Sequence, residues 1–180
     1  MYTVALVGHS NLPVFPSYED VRVEIFKSKG ALLTDIWDPL RFEQRMLQQR
    51  WDCVILFLGG NDLADCHNPK IVFERFTKVL KAFEHVPKVF VTDVEPRNYT
   101  PEKERRFKIT NKQYRDLRDM VNNRLKRYAK STRSFQLVHV PPGYQKDSHD
   151  QGIHLGLRGE RELIGKYKNK IRDHREKTGR

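Results

Sequence analysis

Cysteine is scarce, with only Cys53 and Cys66 in 180 residues. Two thiols cannot build a disulfide framework or a multi-cysteine zinc site, which excludes a secreted mini-domain and a zinc ribbon. Long hydrophobic runs are also missing: Val54 to Leu58 is among the strongest, far short of the ~20 residues that span a bilayer. The opening Met-Tyr-Thr-Val-Ala-Leu has no basic n-region and no cleavage signal, so it reads as a first strand rather than a leader. Internal repeats and low-complexity linkers are absent, and with them solenoids and collagen-like rods. What remains is a cytoplasmic, intracellular globular protein, expected as a single domain over residues 1–174 with a basic polar tail at 175–180.

What the chain has in excess is positive charge. Lys and Arg number 34 against 23 Asp and Glu, for a net +11. The excess is local. Residues 101–133 carry twelve Lys and Arg against four Asp and Glu, and residues 156–180 carry nine against four, while the rest is close to balanced. Both basic segments have helical apolar spacing, and a helix loaded this way suits a phosphate backbone or an anionic lipid surface. Arg105, Arg106, Arg124 and Arg127 are the candidate contacts to RNA or an anionic membrane. The competing reading is a solvated face that keeps the protein in solution.

Apolar runs at residues 3–8, 21–26, 52–58, 88–94 and 135–140 read as five strands. The run at 52–58 is almost wholly apolar, as expected of a strand buried on both faces of a parallel sheet. In the run at 21–26, Val21, Val23 and Ile25 share one side. Helix start signals lie between the strands, at Asp38-Pro39, Asn68-Pro69 and Thr100-Pro101. Each pairs a capping side chain with proline at the first helical position. The helix after Asn68 places Val72, Phe76, Val79, Leu80 and Phe83 on one face. The helix after Thr100 places Tyr114, Leu117, Val121, Leu125 and Tyr128 on another. A last helix uses Leu163, Ile164, Tyr167 and Ile171 before fraying from His174 onward. Strands alternating with helices predict a three-layer α/β/α sandwich around a five-stranded parallel sheet, flavodoxin-like in layout.

In such sheets ligands gather at the carboxyl ends of the strands. Gly8-His9-Ser10 follows the first strand, Gly30 the second, and Gly59-Gly60-Asn61-Asp62 the third. Asp150-Gln151-Gly152-Ile153-His154-Leu155 follows the fifth. Ser, Gly, Asn and His fall in that order, and on these residues the sequence resembles the SGNH (GDSL-like) hydrolase superfamily over nearly its whole length. Gly-Gly-Asn-Asp after an apolar strand is the most specific piece, and Gly-Ile-His-Leu ahead of a terminal helix is next. The basic helices and the Gly-His-Ser variant also look like the esterase modules of some non-LTR retrotransposon proteins.

The resemblance implies a serine esterase acting on short acyl, acetyl or lipid esters, with neither metal nor organic cofactor. Ser10 would be the nucleophile, His154 its general base and Asp150 the orienting acid. The N–H groups of Ser10 and Gly30 and the amide of Asn61 would form the oxyanion hole. Two departures stand out. His9 replaces the Asp of the family's Gly-Asp-Ser, and Gln151 occupies the position three before the histidine where the family has Asp. Three arrangements stay open: a triad completed by Asp150, a Ser–His dyad, and an inactive site. In the last case the chain would be a binding module working through its basic helices. Among the other histidines, His149 shares the loop of His154, whereas His67, His85, His139 and His174 read as structural or solvated. Cys53 reads as core and Cys66 as an inert thiol.

Overall fold

The computed structural model describes residues 1–140 and 156–179. Five strands, β1 (Tyr2–Gly8), β2 (Val21–Lys27), β3 (Cys53–Phe57), β4 (Val89–Thr92) and β5 (Phe135–Val138), form one sheet in the order β2-β1-β3-β4-β5. Every neighbouring pair is parallel. The helices are α1 (Arg45–Gln48), α2 (Gly60–Cys66), α3 (Pro69–Ala82), α4 (Pro101–Phe107), α5 (Asn111–Thr132) and α6 (Leu157–Thr178), with a 3-10 turn at Leu33–Trp37. The five-stranded parallel α/β fold is the one expected.

Strand periodicity divides the core in two. Val54 and Leu56 of β3 join Ala5 and Val7 of β1 on one face, under Val72, Phe76 and Val79 of α3 and Tyr114, Val121 and Leu125 of α5. Cys53, Ile55 and Phe57 join Val4 and Leu6 on the other face, under Leu163, Tyr167 and Ile171 of α6. All five residues of β3 are buried, and each such aliphatic or aromatic side chain contributes about 1.5–3 kcal/mol. The edge strand β2 keeps Val21, Val23 and Ile25 on one side, as read, but that side is covered unevenly. Val21 is buried and packs on the α6 side, but Ile25 is 41% exposed, while Phe26 of the opposite face is buried. A strand with only one neighbour is covered only as far as the layer above it reaches.

Two capping signals behave as the sequence indicates. Asn68 Oδ1 accepts from the N–H groups of Lys70 (3.0 Å) and Ile71 (3.3 Å) at the start of α3. Thr100 Oγ1 accepts from Lys103 N (3.4 Å) at the start of α4. The third does not start a helix. Asp38 ends the 3-10 turn, and its carbonyl accepts from Arg41 N and Phe42 N in a single further turn. Beyond it Leu40 is 93% exposed, and the segment reaches the core through Phe42 and Met46, the latter in the short helix α1.

The single helix expected after Thr100 is two. α4 buries no residue and ends at Lys108, and α5 restarts at Thr110 with a reciprocal cap: Gln113 N donates to Thr110 Oγ1 (3.1 Å) and Thr110 N to Gln113 Oε1 (2.9 Å). At the other end of the chain α6 does not fray at His174. It continues to Thr178 because His174 Nδ1 meets the Tyr2 hydroxyl at 2.7 Å and Arg175 pairs with Asp20. Among the described residues no helix is long and apolar enough to cross a membrane.

Candidate active site

The strand order reverses between β1 and β3, and at such a switch point the loops diverge and open a crevice at the carboxyl ends. The loop leaving β1 is a tight turn closed by Leu12 N donating to His9 O (3.1 Å). Ser10 is its second residue and is exposed. The loop leaving β2 turns between Ser28 and Ala31, closed by Ala31 N donating to Ser28 O (3.2 Å). Its third residue, Gly30, has φ +69°, and a Cβ there would meet nothing within 4 Å. Glycine is needed at that point for its backbone conformation, not for space.

β3 runs directly into α2, which opens with Gly60 and Asn61. At Gly60 the requirement is space: a Cβ would stand 2.5 Å from Arg97 Nη2. The Asn61 side chain is held on two sides. Its Nδ2 donates to Ala31 O (3.1 Å), and its Oδ1 accepts from Arg97 Nη2 (3.1 Å). A guanidinium only donates, so Arg97 fixes which end of the amide is oxygen. The second N–H of the amide makes no hydrogen bond among the described residues. Ser10, Gly30 and Asn61, from three different strand ends, line one cleft of about 870 Å³.

A buried ionic cluster lies beneath it. Glu95 Oε1 accepts from Arg97 Nη2 (2.6 Å), Arg97 Nε (3.0 Å) and Asn11 Nδ2 (3.3 Å). Glu95 and Arg97 are 1% and 4% exposed. Burial pushes the Glu95 carboxyl up, but the Arg97 guanidinium and the neighbouring His9 ring together more than offset this and hold it well below the usual carboxylate range. His9 is buried against the Phe57 ring, its Nδ1 accepts from Asn11 N (3.2 Å), and its Nε2 lies 3.4 Å from Glu95 Oε1. An aspartate at position 9, as the resemblance leads one to expect, would bring a second carboxylate against buried Glu95. Histidine there avoids two like charges in a buried site. Neighbouring Asp62 ties α2 to its surroundings, accepting from Leu33 N (2.9 Å) and Arg75 Nη1 (2.7 Å).

His154 and Asp150, with Gln151 and His149, lie outside the described residues. The four candidate contact arginines do not share one face. Arg106 lines the cleft beside Ser10 and its neighbour Arg105 is on the same short helix. Arg124 and Arg127 flank a separate groove with Phe73, Tyr128 and Ser131. They stand thirteen and sixteen residues into α5 from Asn111, which is about 20–24 Å along its axis.

His139 pairs with Asp93 (2.9 Å) at the ends of β5 and β4, and neither lines the cleft. His67 Nε2 lies 3.0 Å from both Ala64 O and Phe107 O and braces the cleft wall. Cys53 is buried, which pushes its thiol up, and both cysteines are free. Among the described residues no three His, Cys, Asp or Glu side chains gather as a metal site requires. The sequence reading missed Glu95 and Arg97. Their signal is Asp93-Val94-Glu95-Pro96-Arg97, three charges directly after an apolar strand of a parallel sheet.

A flavodoxin-like sheet with Ser, Gly and Asn at the ends of its first three strands has the layout of an SGNH hydrolase. The profile of the GDSL-like lipase/acylhydrolase family matches residues 11–173, and the chain belongs to that family. No curated protein sequence matches significantly. Among solved structures, a GDSL-like lipase from Bacteroides thetaiotaomicron superposes with a TM-score of 0.70 at 16% identity, covering 95% of this chain and 88% of that one. A carbohydrate acetylesterase from Sinorhizobium meliloti gives 0.69 at 16%, covering 96% and 99%. A carbohydrate esterase family 3 protein from Talaromyces cellulolyticus gives 0.68 at 17%, covering 96% and 97%. At these identities the likeness is one of fold.

Proposed function

We propose that the chain is a serine esterase for short acyl esters, with Ser10 as nucleophile and Ser10 N–H, Gly30 N–H and the Asn61 amide as oxyanion donors. The observation that carries this reading is the meeting of Ser10, Gly30 and Asn61 in one cleft of a GDSL-family fold. The amide orientation that Arg97 imposes on Asn61 adds support, because it leaves an N–H rather than a lone pair to face a developing oxyanion.

In the first half-reaction Ser10 Oγ bonds to the ester carbonyl carbon and its proton passes to the base, assigned to His154. Collapse of the tetrahedral intermediate breaks the carbon–alkoxy bond, and the alcohol leaves with that proton. Water then attacks the acyl-serine by the same route, releasing the acid and restoring Ser10. Asp150 is assigned to orient the His154 ring.

Hydrolysis of p-nitrophenyl acetate and longer acyl esters tests this directly. The expected result is turnover that disappears in both Ser10→Ala and His154→Ala, with Asp150→Asn reporting whether that carboxylate matters. Wild-type rates equal to the Ser10→Ala background on every ester would reject the reading.

A further inference from the structure

The cleft at Ser10 is unevenly charged, and the tertiary structure alone makes it so. Its lining includes two carboxylates, each already engaged. Asp35 pairs with Arg41 (3.4 Å) and accepts from Leu32 N (2.9 Å), and Asp65 faces Arg75 (3.6 Å). Three cations on the same lining, Lys29, Arg106 and Lys108, are exposed and form no ion pair among the described residues. They come from two separate elements, Lys29 beside Gly30 in the loop after β2, and Arg106 and Lys108 at the end of α4.

Helix electrostatics accounts for only part of this. Arg106 lies in the last turn of α4, where any cation is favourable beside the helix carbonyls, and its guanidinium rests over the Phe107 ring at 5.6 Å. Lys29 has no such reason to be there, and Lys108 is there at a cost. α4 ends with Ile109 N donating to Glu104 O (3.1 Å), a Schellman-type stop, and Lys108 holds the left-handed position with φ 51°. Glycine is the usual occupant of that position because a Cβ is strained in it. His67 and Arg133 end α2 and α5 in the same conformation, so what singles out Lys108 is its place on the cleft lining with Lys29 and Arg106. Leu32, Ala64 and Phe107 supply apolar surface on the same lining.

We propose that the ester taken by this cleft carries an anionic group, a carboxylate or a phosphate, which Lys29, Arg106 and Lys108 hold while the ester meets Ser10. The proposal rests on the esterase reading and adds to it the charge of the substrate.

The test compares near-isosteric acetate esters: 4-acetoxybenzoate against 4-acetoxybenzamide, with 4-acetoxyphenyl phosphate as the second anion and p-nitrophenyl acetate as the general reporter. Two or three exposed cations at contact range should favour the benzoate over the benzamide by about tenfold in kcat/KM at low salt. That ratio should fall toward one at high salt, and it should collapse in Arg106→Glu/Lys108→Glu. The remote pair Arg124→Glu/Arg127→Glu should keep the wild-type ratio. The benzoate-to-phosphate ratio then says which anion the cleft prefers.

A wild-type benzoate-to-benzamide ratio near one, with turnover still dependent on Ser10, overturns the proposal and leaves the esterase reading standing. A preference that survives the Arg106/Lys108 reversal overturns the assignment to these residues. Absence of Ser10-dependent turnover of every ester, p-nitrophenyl acetate included, overturns the esterase reading and the proposal with it.

Discussion

Beneath the cleft, Glu95 and Arg97 are almost fully buried and joined at 2.6 Å; at its rim, Lys29, Arg106 and Lys108 stand in solvent with no ion pair among the described residues. These two layers of charge serve one site under different physics. In the interior an unpaired charge is intolerable, so Glu95 and Arg97 are locked to each other and to His9, Asn11 and Asn61, and their product is geometry. At the rim each cation is hydrated and screened, so it fixes no geometry and acts through attraction alone. Reach follows from this: the buried pair sets the orientation of one amide, and the rim biases which molecules enter.

Breaking the buried layer should have the largest effect. Glu95→Gln leaves the Arg97 guanidinium buried without its counter-charge and should destabilise the fold by about 3–5 kcal/mol, measured by urea unfolding. The same carboxylate sets an acid limit. Its folded-state value is depressed below the ordinary 4.5, so its contribution is complete above that pH and is lost as pH falls below it. Wild type should therefore lose stability steeply on acidification, and Glu95→Gln should show a flatter acid limb.

One step outward, Asn61→Ala removes the amide that the buried layer orients. It should lower kcat by about 10²–10³ with little change in KM, as loss of one oxyanion donor does. Ester kinetics beside an unfolding curve would separate this from simple destabilisation. The smallest effect belongs to the rim. Lys108→Gly relieves the left-handed strain at the end of α4 and should stabilise the protein by about 0.5–1 kcal/mol, read by thermal or urea unfolding. The same change should weaken the preference for anionic esters, a small exchange of function for stability.

The sequence foretold the sheet well because its strands carry their own evidence. An apolar run such as residues 52–58 has no stable place except between two layers. The boundaries that failed are those set by distant contacts. α6 continues past His174 because Tyr2 and Asp20, from the other end of the chain, meet its last turns. The chain after Thr100 breaks at Lys108 because α4 touches the core only through half-buried Phe107 at its end, while Ile109 is buried. Ser10, Gly30 and Asn61 were legible as candidates since each follows a strand with a glycine-bearing turn. His154 and Asp150 remain assignments made on sequence.

The one-dimensional pattern therefore determined the fold class, the carboxyl ends of the strands as the place to look for a site, and the family to which the chain belongs. Periodicity and turn chemistry are local, and local features survive in a string of residues. Tertiary structure alone decided that Arg97, 36 residues beyond Asn61, sets its amide, and that Glu95 sits against His9. It also decided that Lys29, from a stretch with no net positive charge, lines one cleft with Arg106 and Lys108. Buried pairing and surface potential depend on distances between residues far apart in the chain, and folding is what makes those distances short.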